Sequence, residues 1–486
     1  MHKNLYILIL LLFSTLSARP QSGVNAADTS LAFATEFLQQ YIKIPSLSGR
    51  EYHAAKYFEQ RCLDAGLFIT SLPSTDSSYQ FAATLEPLIT NKPVVWLHHH
   101  IDVVPAVDTT NWKHKPYSGF IEQDTLWGRG TLDAKGLGVM QFMALQRIKH
   151  SSDTSDLPFN IGLLCLANEE SGDNPNIRRV LTRNARRLKP LAAYGEGGSG
   201  LYGVLERSPN TPVYGISVAE KMALWLRLEV EVESFGHGAT PAPQYANKVL
   251  IRALGRLEDR KMKLEFNRVN KRMFRRLGRA EGGLRGFVIR HMNWWIFSPL
   301  VKNIVSSDPL LESLTTNTIT VTKLENPPGP TNQISPTATA YLDCRLQPTY
   351  NQKAFLKKLS RILNEDAIKI TVENQSPEAK PSAINRYFQA FEQAIKQIEP
   401  EAEVIPILFP ATTDNSHLRR YGVPTYGIVP ALLNEELVKS VHSSNERIPL
   451  TQLEAGSAIY TQLLRNLILE LEDKRLKIPE LANALN

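Results

Sequence analysis

The chain has 486 residues, 43% of them hydrophobic and 21% charged, close to globular averages, which excludes wholesale disorder and fibrous repeats. Three cysteines, Cys62, Cys165 and Cys344, are too few and too scattered for a disulfide scaffold, and they lack the paired spacing of a thiolate zinc site. The net charge of +7 is concentrated in residues 252–302, where 14 Lys/Arg meet 4 Asp/Glu; the remainder is slightly acidic, which argues against a nucleic-acid binder.

The chain opens with His2 and Lys3, then a 12-residue, almost wholly apolar stretch over 5–16. That is short of the roughly 20 residues a bilayer span needs. It fits a secretory signal peptide over residues 1–26 and predicts a secreted or periplasmic protein; the alternative is an N-terminal membrane anchor. An amphipathic helix is expected next (Phe33, Phe37, Leu38, Tyr41), ending before Pro45, and a second around Tyr57, Phe58 and Leu63. Apolar runs at 93–97, 160–166 and 191–194 read as strands, with a helix at 138–148 between the first two. Such alternation predicts an α/β fold on a largely parallel or mixed sheet.

From about Tyr214 the texture changes. Residues 224–233 alternate as LWLRLEVEVE, the mark of a strand with one wet face, and 318–322 and 338–345 do the same. The earlier pattern then resumes, helical at 387–398 and extended at 401–408. The reading is one α/β domain in two parts, 27–215 and 379–486, interrupted by a smaller α+β domain over 216–378.

Chemistry-bearing residues gather at strand ends. The strand of VVWLHHHIDVVP runs into His100 and Asp102, and an aspartate two residues on can fix the tautomer of a metal-bound imidazole. WGRGTLDAKG holds Asp133 in a glycine-rich turn before a helix, without the spacing of a phosphate loop. IGLLCLANEESG ends in Glu169 and Glu170, an acidic pair that is costly to bury without a shared cation or proton. YGEGG supplies Glu196 and VHSSNE supplies His442. Each of these alone also reads as a solvated turn, a capping aspartate or a surface histidine. Together they make a cysteine-free set of carboxylates and imidazoles, the ligand chemistry of catalytic zinc.

So assembled, residues from about 35 to 465 resemble the dinuclear zinc metallopeptidases that include aminoacylase, carboxypeptidase S and bacterial glutamate carboxypeptidase. The resemblance implies a zinc-peptidase-like catalytic domain carrying an inserted α+β lid or dimerisation domain, two Zn²⁺ per subunit, and a homodimer formed through the insert. It implies that His100 binds one zinc with Asp102 orienting it, that Asp133 bridges, and that Glu169 is the general base. Glu170 and His442 then hold the second zinc, and Glu196 is the remaining acidic ligand. ESFGHGATP places His237 as oxyanion stabiliser, Asn332 and Arg345 (in YLDCR) at the grip on the substrate carboxylate, and ATTDNSHL at 411–418 as a substrate-side loop.

The sequence departs from this pattern at Gly195, where relatives of the carboxypeptidase S type carry an acid before Glu196; if that acid were the ligand, one metal site would be weakened. Glu196 keeps the register of aminoacylase-like members. His98 and His99 are extra histidines with no role under the resemblance.

Residues 293–322 resemble carboxypeptidase S and the secreted N-fatty-acyl-amino-acid synthase/hydrolases. Phe266, Val269, Met273 and Leu277 make one helical stripe flanked by Lys271, Arg272, Arg275, Arg276 and Arg279, expected to pack on the lid or, alternatively, to touch a lipid or membrane surface through 252–302. The activity implied is zinc-dependent cleavage of the amide bond of N-acyl amino acids or of C-terminal residues of small peptides. The competing readings are a specific biosynthetic deacylase, which the leader argues against, and a non-catalytic binding protein, which the filled catalytic positions argue against.

Overall fold

The computed structural model describes residues 28–472 apart from 75–77, 152–156, 173–174, 234–235, 261–262 and 295–296. The expected leader lies outside the described residues. Among those described, no helix is long and apolar enough to cross a membrane.

A ten-stranded mixed sheet forms the larger body. At its centre Val94–His100 runs parallel to both Asn160–Leu166 and Pro190–Gly195. Every residue of the first two strands is buried. Residues 94–97 and 161–166 read as unbroken apolar runs because both faces of these strands are covered. On one face lie the helices Leu31–Ile42, Lys135–Ser151 and Leu450–Glu472, packed on one another and sharing the main core with Val95 and Leu97. On the other, Ile177, Val180, Leu181 and Leu188 of Pro175–Leu188, with Leu418 of Asn415–Arg420, close over Trp96 and Leu164. The first helix starts where Ser30 caps it, its Oγ accepting the Phe33 N–H at 3.2 Å, and buries Phe33, Phe37, Leu38 and Tyr41.

The smaller body is a four-stranded antiparallel sheet in the order Thr318–Glu325, Thr337–Leu346, Met222–Glu231, Ile368–Gln375. Its two central strands alternate. Leu224, Leu226, Leu228 and Val230, with Ala338, Ala340, Leu342 and Cys344, face the helices Ala246–Glu258 and Gln352–Leu363.

One boundary and one packing relationship differ from the sequence reading. Strand Val213–Glu220 belongs to the large sheet and Met222–Glu231 to the small one, so the chain crosses at Lys221 rather than at 216. The basic helix Arg268–Glu281 also packs away from the expected lid. Its apolar side chains Val269, Met273 and Phe274 are buried in the core of the large sheet, and Arg276 Nη1 reaches Glu392 at 2.7 Å and the Val404 carbonyl at 3.1 Å. The reason is an open edge. Strand Glu403–Phe409 pairs with Val213–Glu220 and, among the described residues, with no other strand, so the helix covers its flank.

Candidate active site

His100, Asp133, Glu169, Glu170, Glu196 and His442 converge at the ends of the parallel strands and the loops beside them. This is where open α/β sheets collect ligands. Asp133 lies between two histidines: its Oδ1 is 2.9 Å from His100 Nε2 and its Oδ2 is 3.0 Å from His442 Nε2. His100 Nε2 also faces Glu196 at 3.7 Å, and His442 Nε2 faces Glu170 Oε1 at 3.0 Å. Two ligand groups therefore share Asp133, one with His100 and Glu196, the other with Glu170 and His442; a third grouping joins His100 to Glu169 and Glu170.

Electrostatics at the cluster favour a bound cation. Burial pushes the carboxyls of Glu169, Glu170 and Glu196 upward, and neighbouring carboxylates add to the push; Glu196 rises to about 7. Burial would raise Asp133 too, but its hydrogen bonds with His100 and His442 draw it far below the usual carboxylate range. His442 rises to about 10, held by its hydrogen bonds to Asp133 and Glu170. Four acids and two imidazoles packed this closely carry negative charge that the protein leaves to protons, and divalent cations at the two groups sharing Asp133 would neutralise it. The donor set fits zinc of the catalytic kind.

Asp102 holds the site differently from the sequence expectation. His100 Nδ1 donates to the main-chain oxygen of Asp102 at 2.8 Å, while the nearer carboxylate oxygen stands 3.8 Å away. That main-chain bond fixes the tautomer and frees Nε2 for a ligand. The Asp102 carboxylate instead accepts the N–H groups of Glu169 (3.1 Å) and Glu170 (2.9 Å) and the hydroxyl of Ser48 (2.8 Å). Asp102 therefore positions the acidic pair, because its carboxylate turns toward the neighbouring strand end.

The sequence reading missed Glu446, four residues beyond His442. It is fully buried, pairs with Arg129 at 2.8 Å, and accepts from the N–H groups of Gly130, Leu132 and Asp133 at 2.9–3.1 Å. It shapes the loop that presents Asp133. The VHSSNE run contains it, but an acid whose partners are main-chain amides over three hundred residues away has no local signature.

Gly195 has a steric cause. A Cβ there would sit 2.2 Å from Cε1 of His98, so the buried His98 ring fills the space a side chain would need. Burial pushes His98 down to about 4 and His99 to about 3, so both are neutral. His99 points to the opposite face, against Gln141 (3.3 Å) and the Phe58 ring, and is a core residue.

A cavity of about 910 Å³ opens over the cluster, lined by Asp133, Glu169, Glu170, Glu196 and His442 on one side and by Trp225, Arg345 and Asn374 of the small sheet on the other. The small sheet touches the acidic turn directly. Asn374 Nδ2 donates to the Gly172 carbonyl at 2.6 Å, and the Trp225 ring packs where a Cβ on Gly172 would stand. Arg345 is braced by both oxygens of Asp343 (2.8 and 3.0 Å) and reaches the Thr412 hydroxyl at 3.4 Å. His237 and Asn332 are not brought to the cluster. They lie side by side, 2.8 Å apart and exposed, and do not line the cavity.

The sequence matches the model of Peptidase family M20/M25/M40 over residues 96–466. The chain belongs to this family, and it is a hydrolase of the metallopeptidase type. It is 26% identical over 383 residues to the probable carboxypeptidase S-like 2 of Dictyostelium discoideum, covering 77% of this chain and 72% of that protein. It is 27% identical over 378 residues to the N-fatty-acyl-amino acid synthase/hydrolase PM20D1 of Mus musculus, covering 76% and 73%. Among solved structures, the M20 metallo-carboxypeptidase Sso-CP2 of Sulfolobus solfataricus shares the fold with a TM-score of 0.66 at 19% identity, over 91% of this chain and all of that one. YXEP of Bacillus subtilis, described as a dinuclear metal-binding peptidase, does so with a TM-score of 0.52 at 12% identity, over 91% and 99%.

Proposed function

We propose that the protein is a two-zinc amidohydrolase that releases the amino acid from N-acyl amino acids or the C-terminal residue from small peptides. The observation that carries the reading is Asp133, whose two oxygens face the two separate ligand groups, His100 with Glu196 and Glu170 with His442. Bound there, the zinc pair would supply Lewis acidity at neutral pH.

Glu169 is half-buried beside His100 and Glu170, one from each group, with its carboxyl held well above the ordinary range by desolvation and by the charge of Glu196. With cations at the two groups favouring its ionised form, Glu169 would be placed to take a proton from the attacking water and return it to the leaving nitrogen. Arg345, braced by Asp343 and facing the cavity, binds the free carboxylate of the substrate. His237 and Asn332 stand together outside the cavity, which suits a role at a second copy of the chain, so a homodimer through the inserted sheet is part of the proposal. Secretion through residues 1–26, and contact of the basic segment 252–302 with a lipid surface, belong to it as well. The buried apolar face of Arg268–Glu281 leaves Arg272, Arg275 and Arg279 exposed for any such contact, while Arg276 is held by Glu392.

The experiment is a release assay on a panel running from N-acetyl to N-oleoyl amino acids and blocked dipeptides, with and without chelator. Chelator-sensitive release of the amino acid is expected. No release from any member, with the zinc sites filled, would contradict the reading.

A further inference from the structure

Asn415, at the head of the helix Asn415–Arg420, is fully buried. Its Oδ1 accepts from His98 Nε2 at 2.9 Å. Its Nδ2 faces the main-chain oxygen of Glu196 at 2.7 Å, Glu220 Oε1 at 3.0 Å and Thr413 Oγ1 at 2.7 Å. The amide thus has its acceptor and its donors engaged on three different segments of chain.

Glu220 is the last residue of the large sheet before the chain crosses to the small one. Its carboxylate accepts the Thr413 hydroxyl at 2.8 Å and the Thr413 N–H at 3.1 Å, and it pairs with Arg419 at 3.0 Å. Arg419 in turn donates to the carbonyls of Ser217 and Thr425 at 3.1 and 3.2 Å. At the crossing itself, the Lys221 carbonyl accepts from the Thr412 hydroxyl at 2.8 Å, and that hydroxyl meets Arg345. One network, buried except at Thr412, therefore joins the strand of His100, the backbone of Glu196, the cavity wall at Thr412 and Thr413, and the passage between the two sheets.

We propose that Asn415, held in place by Glu220, is a positioning residue that fixes Glu196 and the cavity wall beside Arg345 as a single unit. The proposal rests on the reading of Glu196 as a metal ligand. It makes metal affinity and substrate-carboxylate binding depend on the same buried amide. Removing that amide leaves a buried carboxylate and the Glu196 carbonyl short of donors, so the segment bearing Glu196 has to shift.

The test competes zinc-loaded full-length protein against graded chromogenic chelator and measures KM for an N-acetyl amino acid alongside. Four proteins are compared: wild type, Asn415→Ala, the milder Glu220→Gln, and Leu418→Ala. The last removes buried apolar volume from the same helix without touching the network. Wild type should hold two zinc ions. Asn415→Ala should lose roughly ten- to hundredfold in the affinity of one of them, with the other unchanged, and its KM should rise. Glu220→Gln should move the same two readouts by less, and it carries the test if Asn415→Ala does not fold. Leu418→Ala should lose stability and keep both zinc affinities. Wild-type zinc binding in Asn415→Ala and Glu220→Gln, or an equal loss in Leu418→Ala, would overturn the proposal. Fewer than two zinc ions in wild type would instead overturn the metal reading beneath it.

Discussion

The Asp102 carboxylate accepts the main-chain N–H of Glu170 at 2.9 Å. With the matching bond to the Glu169 N–H at 3.1 Å, it aims two acids from a neighbouring strand end at the cavity. Asp102→Asn keeps the size but puts an NH₂ group against one of those donors. The turn carrying Glu169 and Glu170 should move, and activity should fall by about ten- to hundredfold, the usual cost of losing an outer support. The measurement is kcat/KM together with zinc content. An active variant with wild-type kinetics would show that the carboxylate is dispensable.

Gly195→Ala forces a Cβ to within 2.2 Å of the His98 ring in a fully packed interior. Overpacking of this kind costs about 1–3 kcal/mol. Urea denaturation should show that loss, and unchanged stability would mean that the ring has room to move.

In the metal-free protein, His442 titrates near 10 against about 6.5 for an ordinary histidine, because Asp133 and Glu170 hold its proton. The sign follows from the raised value. The stabilisation is complete below about 6.5 and is lost as pH rises through 10. Thermal melts of chelated protein from pH 6 to pH 10 should decline along this window, and His442→Ala should flatten that part of the decline. Zinc loading at neutral pH should release protons, since the ligand must be neutral to bind.

Arg345→Ala should act on KM more than on kcat. A hydrogen bond to a charged group is worth about 1.5–3 kcal/mol, so KM should rise roughly ten- to hundredfold. Steady-state kinetics on one N-acyl amino acid would check this; a fall confined to kcat would place the substrate carboxylate elsewhere.

Much of the site is legible because buried parallel strands end in polar residues: residues 94–97 and 161–166 are apolar runs that lead to the cavity. The period of two also sorts the three consecutive histidines. His98 shares a face with His100, which is why it lies at the metal side while His99 is core. Asp102 misleads because two-residue spacing permits either its carboxylate or its carbonyl to meet the imidazole, and only the fold chooses. The amphipathic stripe of Arg268–Glu281 shows that an apolar face is buried, not which sheet buries it. Contacts such as Asn415 to Glu220, 195 residues apart, leave no local trace.

The most direct test counts metal and turnover together in wild type and Glu169→Gln. Two zinc ions per chain are expected in both proteins, with release of amino acid in wild type and a loss of about a hundred- to ten-thousandfold in the variant. Equal turnover in the two proteins, or one zinc or none in a wild type that still turns over, would contradict it.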